Sequence, residues 1–315
     1  MAKKIADTKK MTHEEWLELR KSSIGGSDAA TCVNMNPYSS LISLYADKKG
    51  LSKPKEDNEA MRLGRDLEAY VAERFCEKEE KKVRNDFFMY ADDEHDFLTA
   101  NIDRRVVGEN AGLECKTMGS FNGFDLANGE IPSNYYCQIQ HYMMVMGFDK
   151  MYLAILVLQR GLYTFAVDRN DDFIKQLRDA EVDFWQNYVM KNNVPEPDGS
   201  DSSLATLKEF YPQAHKNTEL TIPGLDIMVK DYKAAAEREK EAKEAKTRIQ
   251  AQICAKLGSN EVGVGYAYGC SWKNQSKESV DTKKLKEELP QVYARYARVS
   301  DYRVFRTKTI KRKDA

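Results

Sequence analysis

The sequence contains Asn101-Ile102-Asp103 and, ten residues after the aspartate, Leu113-Glu114-Cys115-Lys116. Alternate residues of a β-strand point to the same face, so Glu114 and Lys116 are expected to project together. An acid on the preceding strand, Asp103, can lie opposite them across a short turn. Adjacent carboxylates repel each other unless a cation lies between them, and Mg²⁺ accepts such oxygens. The stretch therefore predicts a centre for metal-assisted phosphodiester hydrolysis, with the lysine orienting or deprotonating a water.

The remaining composition restricts the class of protein. A chain of 315 residues holds one large domain or two modest ones. Its longest apolar run, 151–158, fits a buried strand and is too short to span a membrane. The N-terminus MAKKIADTKK lacks the apolar core of a secretory signal. We therefore expect a cytoplasmic protein without a membrane partner.

Cysteine and histidine usage argues against other metal chemistries. The six cysteines are scattered and contain no C-x-x-C, which is typical of reduced thiols and argues against a zinc ribbon or an iron–sulfur cluster. The four histidines show no metal-ligand spacing either. This disfavours a histidine-based nuclease and a zinc deaminase.

Periodicity and turn signals predict a mixed α/β order of elements. A helix begins after Thr12, with Glu15 at the capping-box position, and Gly25-Gly26 opens another. The further predicted helices cover 41–48, 61–79, 133–147 (capped by Ser133), 171–190, 225–257 and 281–289. The predicted strands cover 87–90, 101–107, 112–117, 151–158, 162–167, 262–272 and 302–309.

The chain divides near the Pro- and Gly-rich stretch 195–200. We predict a catalytic domain over 1–200, a linker over 201–224 and an α+β extension over 225–315. The long charged helix 225–257 has a thin, alanine-rich apolar stripe, which favours a helical arm or a partner-binding helix. From 271 to 315 there are 13 Lys and Arg against 6 Asp and Glu. This basic tail suits contact with phosphates, although a solvated terminus explains it nearly as well.

Three further elements have both a functional and an ordinary interpretation. Gln138 and Tyr142 are i,i+4 neighbours on a predicted helix, where the amide can hold a water or a carboxylate or can simply face solvent. Glu68 is a third carboxylate if it lies near the metal, and otherwise belongs to a solvated helix face. Arg20 and Ser27 flank the glycine turn, where free backbone N–H groups would attract an anion, so the pair can grip a phosphate. A Ser N-cap explains Ser27 equally well but leaves Arg20 unexplained.

With these elements in order, the chain resembles the lambda-exonuclease and YqaJ-type viral recombinase family of the PD-(D/E)xK nuclease superfamily, over about 16–200. The resemblance implies a restriction-endonuclease-like α/β core, with a central mixed sheet flanked by helices. The chain departs from the superfamily motif at one point: Asn101-Ile102 stands before Asp103, where the motif has a proline. The motifs that carry the resemblance are Arg20 with Gly25-Gly26-Ser27-Asp28-Ala29, Asn36-Pro37-Tyr38, Gly64 to Glu68, Asn101-Ile102-Asp103, Glu114-Cys115-Lys116 and Gln138-Ile139-Gln140-His141-Tyr142.

The resemblance also implies residue roles. Asp103, Glu114 and the main-chain carbonyl of Cys115 would ligate Mg²⁺, and Glu68 would complete the shell of a second ion, with Mn²⁺ as a substitute. Lys116 would activate the attacking water while Gln138 positions groups around it. The 5′-phosphate and DNA contacts would come from Arg20, Ser27 and Tyr135.

The implied activity is a 5′-to-3′ exonuclease on linear double-stranded DNA. Such an enzyme leaves 3′ single-stranded tails for phage-type recombination, and it works as a homotrimeric ring beside a single-strand annealing protein in a bacterial host. An endonuclease or repair nuclease on the same fold stays open, because hydrolytic residues do not decide between exo- and endonuclease action. A non-catalytic DNA-binding module would have a broken metal triad, whereas all three residues are present here.

Overall fold

The computed structural model describes residues 2–53, 57–120, 124–216, 218–299 and 302–308. They form two compact units, a first over Met1–Tyr211 and a second over Pro212–Ala315. The helices and strands of the first unit are β1 (Lys3–Asp7), α1 (His13–Lys21), β2 (Ile24–Gly25), α2 (Gly26–Cys32), α3 (Leu41–Lys48), α4 (Glu59–Glu79), β3 (Val83–Asn85), β4 (Phe88–Ala91), β5 (Leu98–Ala100), β6 (Arg104–Val106), β7 (Ala111–Met118), α5 (Ser133–Met146), β8 (Lys150–Val157), β9 (Gly161–Asp168), α6 (Asp171–Asp183) and α7 (Asp201–Phe210).

A five-stranded sheet in the order β3-β6-β7-β8-β9 forms the centre of the first unit. β7 and β8 are parallel, whereas the other neighbouring pairs are antiparallel. Parallel neighbours need a long crossover, and α5 provides it. The predicted α/β core, with a central mixed sheet flanked by helices, is confirmed.

The two faces of β7 separate apolar from charged residues. Leu113 and Cys115 pack toward α4, in a cluster with Val71, Phe75 and Ala154. Because side chains alternate, Glu114 and Lys116 lie on the opposite face, which α5 covers. The strand thus buries its apolar face and turns its charged face toward one helix.

A second sheet, in the order β1-β4-β5-β2, is formed by strands from the first 100 residues. Its strand β5 is joined to β6 of the central sheet by residues 101–103, so the predicted strand 101–107 is interrupted there. β1 was not predicted from the sequence, because Lys3-Lys4 interrupts its short apolar pattern. Pairing with β4 forms this strand nevertheless.

Buried polar contacts tie the second sheet to the helices. His141 of α5 has Nδ1 2.8 Å from Glu181 Oε1 of α6 and Nε2 2.9 Å from the carbonyl oxygen of Thr99 of β5. All three residues are buried. Burial alone lowers the pKa of His141, but the Glu181 carboxylate outweighs it and raises that pKa above the ordinary value. The two ring nitrogens of His141 thus link α5 both to α6 and to β5.

Several boundaries differ from prediction. Pro132, not Ser133, is the N-cap of α5, and no side chain caps it. The predicted helix 171–190 changes to a π-helix over Phe184–Val189. The predicted linker 201–224 begins with α7, where Ser202 bonds Ser40 at the start of α3. The first unit accordingly reaches Tyr211.

The second unit consists of a long helix followed by short elements. α8 (Leu225–Leu257) agrees with its prediction, and the predicted strand 262–272 is a hairpin of β10 (Val262–Val264) and β11 (Gly269–Ser271). Helices α9 (Thr282–Glu288) and α10 (Pro290–Tyr296) follow. Residues 302–308 form no strand, and the end of the predicted basic tail, 309–315, lies outside the described residues. Among the described residues, no helix combines the length and the apolar character needed to cross a membrane.

Candidate active site

The candidate site begins at the end of the β6–β7 pair. Arg104 pairs with Leu113 in the antiparallel register, so Asp103, one residue earlier, comes beside Glu114. Asp103 lies in a bend immediately before β6, not on a strand as predicted. Its Oδ2 accepts a hydrogen bond of 2.8 Å from the backbone N–H of Cys115. This bond fixes the aspartate against the strand that carries the other two motif residues.

Glu114 is the centre of the arrangement. It is buried, and its Oε1 accepts hydrogen bonds from Gln138 Nε2 at 2.7 Å and from Lys116 Nζ at 2.6 Å. Its Oε2 is buried and lacks a hydrogen-bond partner among the described residues. An unsatisfied buried carboxylate oxygen is costly, and a cation would satisfy it. The donor set therefore fits a hard divalent ion such as Mg²⁺.

The electrostatics of the neighbouring aspartate agree with this fit. Burial, with Glu114 and Glu68 close by, raises the pKa of Asp103 well above its usual value. Two carboxylates held this close disfavour each other's charged form. A bound cation would relieve the repulsion and favour both anions.

Lys116 carries the positive charge of the site. Burial lowers the pKa of its ammonium, but the carboxylates of Glu114 and Asp103 outweigh burial and raise it. Its Nζ also lies 5.3 Å from the ring centroid of Tyr135. Tyr135, predicted to contact DNA, is thus placed beside the lysine at the start of α5.

Glu68 is only partly in the predicted position. It approaches on α4, and its charge acts on Asp103, but its Oε1 accepts a 2.6 Å hydrogen bond from Arg104 Nη1. Over the part of the chain that the structure describes, no three His, Cys, Asp or Glu side chains form a metal-binding group. As it stands, the structure brings together Asp103 and Glu114, while Glu68 forms an ion pair.

Gln138 contacts Tyr142, a residue for which no role is predicted from the sequence. Its amide Nε2 also donates to the hydroxyl of Tyr142 at 3.0 Å. The ring of Tyr142 packs directly against Gly26, where an added Cβ would lie 2.5 Å from Cε1. Only glycine permits this approach of α2 to α5. The close contact sets the Arg20–Ser27 element beside the Glu114 centre.

Arg20 and Ser27 are in contact, as predicted: Arg20 Nη2 donates to Ser27 Oγ. The expectation that the glycine turn leaves free N–H groups is wrong at Gly25, whose N–H donates to Asp28 Oδ2 at 3.0 Å. The aspartate is the N3 residue of a capping box and satisfies that donor. Asp28 therefore occupies one N–H group at the start of α2, and the Arg20 guanidinium beside Ser27 is a group that can hold an anion.

A buried lysine completes this element and was not predicted. Lys48 Nζ donates to Asp28 Oδ2 at 2.6 Å and to the carbonyl oxygen of Arg20 at 3.0 Å. Burial by itself raises the pKa of Asp28, but Lys48 and Arg20 outweigh it and lower that pKa. Lys48 ends an amphipathic helix, where a lysine normally faces solvent, so no local pattern indicates its burial.

Comparisons with known proteins found one matching family model, one similar bacterial protein and several similar structures. A model described as the YqaJ-like viral recombinase domain matches residues 15–149. The protein YqaJ of Bacillus subtilis (strain 168) is 32% identical over 313 residues, which cover 98% of each chain. The alkaline exonuclease LHK-Exo from Laribacter hongkongensis is similar at 16% identity and a TM-score of 0.47, over 57% of this chain and 94% of its own. A phage-related exonuclease from Haemophilus somnus 129PT is similar at 12% identity and a TM-score of 0.44, over 54% of this chain and 95% of its own.

Proposed function

The chain belongs to the YqaJ-like viral recombinase family, and on this premise we propose that it is a metal-dependent deoxyribonuclease. Its reaction is the 5′-to-3′ hydrolysis of linear double-stranded DNA, which leaves 3′ single-stranded tails for recombination by annealing. One observation carries the proposal: the buried Glu114 carboxylate, held by Lys116 and Gln138, keeps one oxygen unsatisfied beside Asp103.

The cation would be held by the carboxylates of Asp103 and Glu114 and by the main-chain carbonyl of Cys115. When bound, Mg²⁺ activates a water and neutralises charge on the scissile phosphate. Glu68 belongs to a second ion's shell only if it exchanges Arg104 for that ion. Arg104 therefore competes with a second metal for this carboxylate.

The remaining side chains orient these groups. Gln138 Nε2 occupies Glu114 Oε1, which leaves Oε2 as the oxygen that faces the cation. Lys116 Nζ, an ammonium ion, can donate hydrogen bonds to a water or to a phosphate oxygen at the same point. Tyr142, whose ring packs on Gly26 of α2, accepts a hydrogen bond from the Gln138 amide and holds it in position.

Arg20 and Ser27 supply the grip on the DNA end in this proposal. The guanidinium already points its Nη2 at the Ser27 hydroxyl, and a terminal 5′ phosphate can accept hydrogen bonds from both groups. Because Gly26 brings α2 against the helix of Gln138, the end phosphate and the scissile phosphate would be held at a fixed spacing. Arg20→Ala should therefore reduce the preference for 5′-phosphorylated over 5′-hydroxyl ends. An unchanged preference would remove Arg20 from this role.

A homotrimeric ring and a single-strand annealing partner belong to the same proposal. A ring that encloses the duplex would account for digestion from ends only. Light scattering of the purified protein should give a mass three times the 36.1 kDa of the chain. A monomeric mass under the conditions of activity would contradict the ring.

The activity is tested on linear and covalently closed circular duplexes, each with Mg²⁺ and with EDTA. The proposal expects Mg²⁺-dependent loss of the linear form only, with release of nucleotides from a labelled 5′ end before a labelled 3′ end. Equal cutting of circles would identify an endonuclease on the same fold. DNA binding without cleavage, both with Mg²⁺ and with EDTA, would identify a DNA-binding module.

A further inference from the structure

The second unit carries an aromatic hairpin whose geometry is fixed. We define the hairpin as 261–272; β10 and β11 form its ladder, and Trp272 N–H donates to the carbonyl oxygen of Glu261 at 2.8 Å. Its turn is closed by a 2.8 Å bond from Gly265 N–H to the carbonyl oxygen of Tyr268. The four turn residues 265–268 therefore have a defined arrangement.

The hairpin is attached to the end of the long helix. An added Cβ on Gly263 would lie 2.9 Å from Leu257 Cδ2, so the strand β10 packs closely on the last residue of α8. Leu257 is the one buried residue of that helix. With 33 residues, α8 is about 50 Å long, and the hairpin is fastened to its C-terminal end.

The hairpin exposes large aromatic rings. Tyr266 is fully exposed, Tyr268 is 89% exposed and Trp272 is 56% exposed. Such rings normally bury their faces in a core or against a partner, and a group of exposed apolar side chains marks an interaction site. The closed turn and its base thus present three exposed rings, Tyr266, Tyr268 and Trp272, on one backbone hairpin.

Positive charge lies directly after the hairpin. The segment 271–315 carries 13 Lys and Arg against 6 Asp and Glu, and Lys273 and Lys277 follow Trp272 closely. A basic segment attracts phosphates whether the nucleic acid is single- or double-stranded. Exposed aromatic rings add a preference, because a base can stack on them only when it is free of the duplex.

We infer that the hairpin 261–272 and the basic residues after it bind single-stranded DNA. The bases stack on Tyr266, Tyr268 and Trp272, and the phosphates contact Lys273 and Lys277. The inference does not depend on hydrolysis by the first unit. In a recombination nuclease, the strand held in this way would be the unpaired tail.

The test uses the full chain in EDTA and a fluorescent 30-nucleotide oligothymidylate, measured by anisotropy. The double variant Tyr266→Ala, Tyr268→Ala should lose at least about tenfold in affinity. The matched variant Tyr266→Phe, Tyr268→Phe keeps both rings and should stay within about twofold. Binding to a hairpin-capped 30-base-pair duplex should not change in either variant.

A second double variant separates the contribution of base stacking from that of charge. Lys273→Ala with Lys277→Ala should reduce the slope of log affinity against log salt by about 1.4, while the tyrosine-to-alanine pair should leave the slope unchanged. Both variants should keep the melting temperature and the light-scattering mass of the wild type.

Unchanged oligothymidylate affinity in the tyrosine-to-alanine variant would overturn the inference. An altered oligomeric mass in that variant, with oligothymidylate binding retained, would identify the hairpin as an interface between copies of the chain. Loss of binding to an annealing protein, with oligothymidylate binding retained, would identify a protein-docking surface. Either outcome contradicts the single-strand assignment.

Discussion

Gly26→Ala is the most informative single substitution. Gly26 lies between the Arg20–Ser27 element and the helix α5, which carries Gln138 to the Glu114 centre. Its new Cβ would lie 2.5 and 2.8 Å from two ring atoms of Tyr142 and 3.0 Å from Gln138 Cγ. The ring is buried and cannot swing away, so α2 and α5 must separate. Overpacking of this kind costs about 1–3 kcal/mol of unfolding free energy. The separation also strains the Gln138–Glu114 hydrogen bond, and a bond to a charged group contributes about 1.5–3 kcal/mol.

Urea unfolding and steady-state digestion of a 5′-phosphorylated duplex measure the two effects. Gly26→Ala should lower the unfolding free energy by about 1–3 kcal/mol and reduce kcat at least about tenfold. Gly64→Ala is the matched stability control, since Gly64 lies inside α4 and an added Cβ meets nothing within 4 Å. Alanine is the better helix former there, so it should raise stability by about 0.5–1 kcal/mol. Wild-type stability and activity in Gly26→Ala would refute the close contact and the coupling it implies.

Two further predictions concern buried ionic contacts. Lys48→Met should cost about 3–5 kcal/mol of unfolding free energy, because Asp28 stays buried without its cation. The control is Lys49→Met, at the exposed neighbouring lysine, which should change stability by less than about 0.5 kcal/mol. An equal effect of the two variants in urea would contradict the buried pair. His141→Gln should be most destabilising at low pH, because Glu181 raises the folded-state pKa of His141. The stabilisation that the His141–Glu181 contact provides is fully present below about pH 6.5 and is lost as pH rises through that folded-state pKa. Urea midpoints of wild type and variant at pH 6 and pH 9 check this, and a gap that is equal at both values would exclude the charged histidine.

Elements with strong local signals were predicted well. The capping box at Thr12, the helix 41–48 and the helix 225–257 agree with the structure because caps, apolar spacing and a terminal glycine are local features. β1 depends on pairing with β4, about 80 residues away, and its own sequence carries little strand signal. The stretch 195–200 is rich in turn residues and so predicts a linker where the structure has the helix α7.

The relative positions of the candidate site residues are predictable where sequence spacing alone determines geometry. Glu114 and Lys116 share a face because they are two apart on a strand, and Gln138 reaches them from the crossover helix. The burial of Lys48 and the packing of Tyr142 on Gly26 arise from contacts between distant helices, which no local pattern indicates. Likewise, Arg104 lies beside Glu68 only in the folded chain, so no sequence pattern indicates this ion pair.

The central claim is that Asp103, Glu114 and Lys116 form a hydrolytic centre. The most direct measurement compares Lys116→Ala with Lys150→Ala for the Mg²⁺-dependent loss of linear duplex DNA. Lys150 lies on the adjacent strand β8 of the same sheet and is partly exposed beside Asp168, so it controls for loss of a lysine from the sheet. Lys116→Ala should lower the rate at least about 100-fold while DNA binding in EDTA stays near wild type, and Lys150→Ala should keep the wild-type rate. Cleavage at the wild-type rate by Lys116→Ala would contradict the account.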